Sequence, residues 1–332
     1  MAWPLVSIVI PCYNEQDTIA ALLEAISQQT YPLDRLEVIV ADGMSTDNTR
    51  HNIGKFVAEH PELDVRVVEN PDRAIPKALN RAIEQARGEI ILRLDAHSQP
   101  YADYVERCVA ALEAGKGDNV GGMWEIVAGS QTWIARSIAV AASHPLGVGD
   151  AHYRVGGRAQ CVDTVPFGAY RRSLFERIGK FNEALLTNED YELNARIRLN
   201  GGKIWFDPAI RMKYFARKSL SDLARQYWRY GYWKAKMLRI YPKTLRWRQL
   251  LPPLFVFSVL ISLILSPLSV VARYGLFSTL GSYLLILAAV GAREALVRRE
   301  AFLLVGLPLS IATMHFSWGL AFLWSLASAN ER

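Results

Sequence analysis

The chain has 332 residues, a formal net charge of +6 and a hydrophobic fraction of 51%, which is high for a soluble protein. This length accommodates one large or two ordinary domains with an ample core. The three cysteines, Cys12, Cys108 and Cys161, have no paired spacing, which fits a reducing compartment and argues against a thiolate metal site.

The first 94 residues alternate between predicted strands and amphipathic helices. The predicted strands cover residues 6–10, 36–40, 65–68 and 89–94, and the predicted helices cover 17–28, a segment capped by Thr46 or Asp47, and 76–86. This alternation predicts an α/β fold with a parallel, doubly wound sheet covered by helices on both faces. After Gly115 the pattern becomes irregular, and mixed strands are expected at 162–169 and 203–206.

Acidic and polar residues follow three of these strands. Glu15 lies in the loop after the first strand, Asp42 follows the second, and Asp95 and His97 follow the fourth. Because open α/β sheets bind ligands at the carboxyl ends of their strands, we expect Glu15, Asp42 and Asp95 to lie close together. Asp42-Gly43 alone is typical of an ordinary turn, but three acidic loops at one sheet edge favour a ligand site.

The tripeptide Asp95-Ala96-His97 has the chemistry of a divalent-cation site. A carboxylate oxygen suits Mg²⁺ or Mn²⁺, and the imidazole shifts the preference towards Mn²⁺ or another transition metal. Taken alone, the tripeptide is weak evidence, and a surface turn after a strand is the more common explanation.

A basic, aromatic segment precedes the apolar C-terminal part. Residues 211–248 carry twelve Lys or Arg and one acid, so the segment has a charge of +11 and the remainder a charge of −5. Tyrosine and tryptophan residues are interleaved with these charges. Basic blocks also bind nucleic acid, but this composition directly before an apolar span favours an interfacial helix at an anionic cytoplasmic leaflet. We expect membrane lipids, and no nucleic acid, as partners.

Three uncharged stretches, 249–272, 274–292 and 301–330, are long enough, or nearly so, to cross a membrane. We predict spans at about 250–271, 275–292 and 301–327. The basic block and a loop with Arg293, Arg298 and Arg299 are expected inside, and a short loop with Arg273 outside. Met1–Pro4 has no basic region of a signal peptide, so the first 210 residues or so are expected in the cytosol and the C-terminus outside.

Four motifs, in this order, resemble the signatures of family-2 inverting glycosyltransferases. They are Val6 to Glu15, Ala41 to Thr49, Leu94 to His97, and Asn188-Glu189-Asp190. The resemblance covers residues 4–240. Within the family, Asn70 to Asn80, Arg93 to His97 and Asp163 to Arg171 are most similar to the succinoglycan-biosynthesis glucosyltransferase group, which extends lipid-linked exopolysaccharide units.

The resemblance implies a GT-A fold, that of nucleotide-diphospho-sugar transferases, and assigns roles to residues. Pro11, Tyr13 and Glu15 would line the nucleotide pocket, and Asp42 would accept a hydrogen bond from uracil. Asp95 and His97 would hold Mn²⁺ or Mg²⁺ on the diphosphate. Asp190 would deprotonate the acceptor, with Glu189 beside it; without the family context, this pair is equally explained as acids favoured at a helix start.

Two motifs depart from the family pattern. The family usually has Asp-x-Asp where this chain has Asp95-Ala96-His97, so His97 is expected to bind either the metal or the diphosphate directly. The stretch Gln226-Tyr227-Trp228-Arg229-Tyr230 resembles the Gln-x-x-Arg-Trp motif of processive synthases but ends in Tyr. Arg229 would pair with the diphosphate and Trp228 would stack near the acceptor, or Trp228 and Tyr230 would be interfacial residues.

Together these observations predict a cytosolic catalytic domain (1–215), basic aromatic interfacial helices (216–248) and a three-helix transmembrane region (249–332). The predicted activity is transfer of a hexose, glucose from UDP-glucose, to a lipid-linked glycan on polyprenyl diphosphate in exopolysaccharide or cell-surface glycan synthesis. The alternatives are a polyprenyl-phosphate glycosyltransferase, a processive polysaccharide synthase and a non-catalytic sugar-nucleotide sensor.

Overall fold

A computed structural model describes residues 3–328 of the chain, so the ends of the predicted ranges at 1–2 and 329–332, the C-terminus included, lie outside the described residues. The strands are β1 (Val6–Cys12), β2 (Leu36–Asp42), β3 (Asp64–Glu69), β4 (Ile90–Arg93), β5 (Ser98–Pro100), β6 (Asn119–Val127), β7 (Gln160–Cys161), β8 (Ala169–Arg171) and β9 (Ile204–Phe215). The α-helices are α1 (Ile19–Ser27), α2 (Thr49–Glu59), α3 (Ile75–Gln85), α4 (Tyr104–Glu113), α5 (Trp133–Ala142), α6 (Pro145–Val148), α7 (His152–Val155), α8 (Arg172–Ile178), α9 (Glu189–Leu199), α10 (Leu220–Ile240), α11 (Trp247–Leu265), α12 (Val270–Arg298) and α13 (Leu303–Ala327).

The strands form one mixed sheet in the order β3-β2-β1-β4-β8-β6-β9-β5, with β7 paired to β9. The first four strands are parallel, and the pairs β4–β8 and β6–β8 are antiparallel. The predicted doubly wound, mixed α/β sheet is therefore confirmed. Residues at the carboxyl ends of β1, β2 and β3 and around the end of β4 share one edge.

The central strands show why the sequence folds this way. All seven residues of β2 are buried, and β1 is buried except at Pro11, as expected of parallel strands covered by helices on both faces. Helix α1 buries Ile19, Leu22, Leu23 and Ile26, which share one face at helical spacing. β3, at the edge of the sheet, alternates between more and less exposed residues.

The predicted strand at 162–169 is wrong for most of its length. The chain is extended at β7 and β8, but Phe167 between them has a φ of +53°, which breaks strand geometry. The N-cap of α2 is Asn48, which lies one residue after Asp47 and two residues after Thr46, the two predicted caps.

The chain packs as two units. The first consists of residues 3–125 and 156–214 and contains most of the sheet; the second consists of 126–155 and 215–328. One boundary between the units lies at residues 214–215, and residues 126–155, which lie within the predicted first domain, pack in the second unit, where α5 contacts α13. The predicted division into a catalytic domain, interfacial helices and a transmembrane region stays a prediction.

The second unit contains three helices that are long and apolar enough to cross a membrane, α11, α12 and α13. Each overlaps one predicted span, but α11 ends at Leu265, before the predicted end near residue 271, and α12 is longer than predicted, with 29 residues. The predicted loop at Arg273 is wrong. Arg273 lies inside α12, because the Ser269 hydroxyl accepts a hydrogen bond from the Ala272 amide and starts the helix before it.

Candidate active site

Strained backbone marks the edge of the sheet at which β1, β2, β3 and β4 end. Five non-glycine residues with positive φ lie in loops at or near this edge: Asn14, Met44, Arg73, Phe167 and Asn188. Such conformations are costly for residues with a side chain and cluster at ligand and catalytic sites. This edge is therefore the candidate site in the first unit.

Asp42, at the end of β2, is completely buried. One carboxylate oxygen accepts from the Ser45 hydroxyl at 2.5 Å, and the other accepts from Arg50 Nε at 2.5 Å. The Ser45 amide is within 3.3 Å of both oxygens. The predicted contact of Asp42 with uracil thus requires the base to share or replace one of these donors.

Tyr13 is the more accessible residue beside Asp42. It follows β1, the residue is 41% exposed, and the Arg73 guanidinium lies over its ring, 5.0 Å from the ring centroid. A side chain at Gly43 would come within 3.1 Å of Tyr13 Cβ, so glycine leaves room beside Tyr13. The contact with Arg73 is a cation–π interaction, and a partly exposed aromatic ring is also a surface on which a planar base stacks. Pro11 lies at the same end of β1.

Glu15 and His97, predicted in separate loops, are in contact. His97 Nδ1 lies 3.1 Å from Glu15 Oε1, and the other Glu15 oxygen accepts from the Thr18 hydroxyl at 2.6 Å. Burial raises the pKa of the Cys12 thiol, and the charges of Glu15, Asp42 and Asp47 raise it further. The charges of Glu15, Asp42 and Asp47 therefore all act on Cys12, at the end of β1.

The loop after β4 and the start of α9 meet at Arg93. This guanidinium is buried and donates to Asp95 at 3.0 Å and to Glu189 at 2.8 Å, and its other terminal nitrogen donates to Asp190. One cation therefore serves three carboxylates. We refer to Arg93, Asp95, Glu189 and Asp190 as the Arg93 cluster.

The electrostatics of the cluster favour a protonated carboxyl. Burial raises the pKa of Asp190 to about 7; Arg93 opposes this effect, and the charges of Glu189 and Asp95 add to it. The Asp190 side chain is still 15% exposed, so the carboxyl can be reached from solvent. A carboxyl that titrates near neutral pH can act as a general base.

The predicted metal ligands, Asp95 and His97, lie in the loop after β4. Within residues 3–328, no three His, Cys, Asp or Glu side chains are arranged to hold a metal by themselves. Asp95 and His97 stay predicted ligands; divalent cations such as Mg²⁺ are often bound through one or two side chains together with substrate phosphates. The contact of His97 with Glu15 is also of the type that orients a metal-binding imidazole.

The remaining predicted residues, Gln226, Trp228 and Arg229, lie on α10 in the second unit. Gln226 donates to the Tyr230 hydroxyl at 3.0 Å, and Trp228 is 42% exposed. Their roles toward the acceptor or the diphosphate stay predictions, as does the alternative that Trp228 and Tyr230 contact lipid.

Residues 7–179 match the protein family described as Glycosyl transferase family 2. The chain belongs to glycosyltransferase family 2. It is 34% identical to the succinoglycan biosynthesis protein ExoA of Rhizobium meliloti over 74% of this chain and 73% of that protein. It is 27% identical, over 70% and 74% of the two chains, to the dolichyl N-acetyl-alpha-D-glucosaminyl phosphate 3-beta-D-2,3-diacetamido-2,3-dideoxy-beta-D-glucuronosyltransferase of Methanococcus voltae.

Solved structures agree on the GT-A-like fold. The mannosyltransferase PcManGT from Pyrobaculum calidifontis, in complex with GDP-Man and Mn²⁺, aligns with a TM-score of 0.65 at 20% identity, over 99% of this chain and 89% of that one. S. aureus TarS in complex with UDP aligns with a TM-score of 0.55 at 18% identity, over 99% and 93%. The predicted family, fold and enzyme class are confirmed, and family-2 enzymes generally invert the anomeric configuration.

Sequence reasoning missed three arginines of this family-2 site. Arg93 ends a strand within an apolar run, whereas Arg50 and Arg73 resemble ordinary surface charges. For Arg93, two signals were available in the sequence: its place in the stretch from Arg93 to His97 and its position two residues before Asp95. Its contact with α9, 96 residues away in sequence, is visible only in the fold.

Proposed function

We propose that this family-2 glycosyltransferase transfers a hexose, glucose from UDP-glucose, to a sugar linked to polyprenyl diphosphate at the cytoplasmic face of a membrane. The product would belong to an exopolysaccharide or a cell-surface glycan. The observation that carries the proposal is the Arg93 cluster, which holds a carboxyl of pKa about 7 at the ligand-binding edge of the sheet.

In this proposal Asp190 accepts the proton of the acceptor hydroxyl as the oxygen attacks the anomeric carbon. The bond from that carbon to the diphosphate oxygen breaks in the same step, so one displacement inverts the anomeric configuration. Burial, with the charges of Glu189 and Asp95 as further causes, raises the pKa of Asp190, which makes it a stronger base than an ordinary aspartate once it is ionised.

Asp95 and His97 would hold a divalent cation, Mn²⁺ or Mg²⁺, which when bound neutralises charge on the leaving diphosphate. Glu15 orients the His97 ring through Nδ1. The Mn²⁺ present with GDP-Man in the PcManGT complex supports a metal-dependent reaction in this chain as well.

Tyr13, Pro11 and Asp42 would form the nucleoside side of the pocket, with the base stacked on Tyr13 beside Arg73. The TarS complex with UDP supports a uridine nucleotide, whereas the PcManGT complex contains a guanosine nucleotide. The donor assay must therefore include both bases.

The lipid-linked acceptor is supported by the second unit and by the relatives. Three helices in residues 247–327 are apolar enough to cross a membrane, so the enzyme is expected to act at a membrane surface. ExoA is named for succinoglycan biosynthesis, and the Methanococcus voltae relative is named for transfer to a dolichyl-linked sugar phosphate.

The decisive experiment incubates membranes containing the full chain with labelled UDP-glucose, UDP-GlcNAc or GDP-mannose. Each donor is offered with polyprenyl phosphate, with polyprenyl-diphosphate-linked glycans, or without acceptor. We expect one hexose to be transferred from UDP-glucose to the diphosphate-linked glycan. Transfer to polyprenyl phosphate alone would refute the acceptor, long products would indicate a processive synthase, and nucleotide binding without turnover would indicate a sensor.

The orientation in the membrane is proposed from charge. The segment 211–248, at +11, would lie on the cytoplasmic side, with the catalytic unit. Three spans would then place residue 328 on the opposite side. The exposed native cysteine Cys161 is first replaced by serine. In that background, cysteines introduced one at a time at exposed Glu59 and at Leu268, labelled in inside-out and right-side-out vesicles, test this arrangement; labelling of both from the same side would contradict it.

A further inference from the structure

Arg93 is an almost completely buried cation within the site. Its side chain is only 3% exposed, and its guanidinium carbon lies 5.5 Å from the ring centroid of Phe167 and 5.9 Å from that of Phe181. Phe167 adopts the left-handed backbone conformation, which is unusual for an aromatic residue. The backbone at Phe167 is therefore strained, next to this guanidinium.

The hydrogen bonds of Arg93 connect two parts of the site that are far apart in sequence. Nε and one terminal nitrogen point to Asp95 Oδ1, at 3.4 and 3.0 Å, in the loop after β4. The same terminal nitrogen donates to Glu189, and the other donates to Asp190, at the start of α9. A planar guanidinium can hold these directions together, which a lysine ammonium cannot.

We propose that Arg93 is a positioning residue that holds the base Asp190 in register with Asp95, and hence with the diphosphate-binding side of the site. This inference rests on the proposed role of Asp190. Arg93 does not touch the reacting atoms in this scheme. It sets the direction of the Asp190 carboxylate and supplies the single positive charge that Asp95, Glu189 and Asp190 share.

The groups that face Asp190 come from several elements. Arg93 and Asp95 lie at the end of β4, and Glu189 is next to Asp190 on α9. Tyr104 on α4 and Tyr170 on β8 are buried, and burial, with the charge of Asp190 as a further cause, raises the pKa of both phenols, so they stay neutral. Removal of Arg93 therefore leaves three carboxylates together.

The test compares Arg93→Lys with Arg196→Lys in the full-length protein. Arg196 is a matched control because it lies on the same helix as Asp190 and forms a two-bond ion pair with Glu192, at 2.8 and 2.9 Å. Both variants keep the positive charge but lose the planar guanidinium with its fixed donor directions. Folding is checked by thermal melting and by UDP binding in the presence of Mn²⁺.

We expect Arg93→Lys to lower kcat by about 100-fold, because a small misplacement of a catalytic group has an effect of this size. The KM for the donor should stay within about threefold, since an interaction that serves the transition state affects kcat rather than uniform binding. Arg196→Lys should keep kcat within about threefold. Equal kcat losses in the two folded variants would overturn the inference.

A second measurement requires no turnover. In protein labelled with ¹³C at the aspartate carboxyl, and assigned with Asp190→Asn, the titration midpoint of Asp190 should rise by about one to three pH units in Arg93→Met. An unchanged midpoint would overturn the inference. If Arg93→Met does not fold, the inference is tested by the kcat comparison of Arg93→Lys with Arg196→Lys and by the titration of Asp190 in Arg93→Lys.

The two proposals fail in different ways. If wild-type membranes transfer no hexose to a lipid-linked sugar, the proposed function fails, and the Asp190 titration still tests Arg93. If wild type is active but Arg93→Lys matches Arg196→Lys, only the inference about Arg93 fails.

Discussion

Two buried carboxylate clusters, at opposite ends of the same sheet, have opposite charge balances. Near the start of β2, Glu37 is completely buried and accepts from the Ser7 hydroxyl at 2.5 Å, from Arg87 Nε at 2.8 Å and from Arg66. In the Arg93 cluster at the other end, one arginine serves Asp95, Glu189 and Asp190.

The charge balance decides the direction of the pKa shift. Burial alone would raise the pKa of Glu37, but hydrogen bonds from Ser7 and Arg87 and the charge of Arg66 outweigh it, and the net shift is downward. At Asp190 burial dominates, Arg93 opposes it only in part, and the pKa rises to about 7. The Glu37 cluster therefore keeps a permanent ion and stabilises the fold, whereas the Arg93 cluster keeps a carboxyl able to exchange a proton.

The sharpest test of this contrast is Asp190→Asn. We expect kcat to fall by about 1,000-fold, within the range typical of a lost general base, while the protein remains folded because one of three crowded negative charges is removed. Single-turnover transfer of labelled hexose in membranes measures the effect. Near-normal turnover would show that Asp190 is not the base.

Metal removal should have the next largest effect. We expect EDTA to lower transfer by roughly 100-fold, because charge on the leaving diphosphate is then no longer neutralised, and Mn²⁺ to restore it. His97→Ala should raise the Mn²⁺ concentration needed for half-maximal rate by about 10- to 100-fold if His97 is a ligand. Full activity in EDTA would contradict the metal assignment.

The pH dependence should follow the ionisation of Asp190. A base must be deprotonated, so kcat should rise with pH through about 7 and be about tenfold lower at pH 6 than on the plateau. Initial rates at saturating donor and acceptor measure this profile. A kcat that stays constant between pH 5.5 and 8 would contradict the assignment of Asp190 as the base.

Glu37→Gln should have the smallest effect on activity. We expect kcat per folded molecule to stay within about twofold, with a loss of about 1–3 kcal/mol in the free energy of unfolding because buried donors lose an ionised acceptor. Thermal or denaturant unfolding, paired with the transfer assay, separates the two effects. A large kcat loss in a stable Glu37→Gln protein would contradict the view that Glu37 serves the fold and only the Arg93 cluster serves the reaction.

Much of the site could be predicted because it depends on local patterns. The apolar runs of β1, β2 and β4 indicate where these strands end, so the sequence alone places Glu15, Asp42, Asp95 and His97 at one sheet edge. The helical spacing of Ile19, Leu22, Leu23 and Ile26 and the uncharged stretches after residue 249 are equally clear in the sequence. Each of these signals lies within one element.

The failures share a different physical cause. Phe167 disrupts a strand-like stretch with a positive φ, and residues 126–155 join the second unit because α5 packs against α13. The hydrogen bonds that Asp42 accepts from Ser45 and Arg50 are likewise visible only in the structure, and its contact with uracil stays a prediction. In each case a contact made after folding overrides the local preference.

By itself the sequence determined the strand–helix alternation, the motifs of glycosyltransferase family 2, the basic segment before the apolar helices, and hence the enzyme class. Hydrophobic periodicity and charge composition are properties of neighbouring residues, so they can be read along the chain. Only the tertiary structure decided that Arg93 reaches Asp95, Glu189 and Asp190 at once. A pKa depends on burial and on charges brought together from distant segments, and for that reason Asp190 gains the properties of a base, and Glu37 those of a structural ion, only in the folded protein.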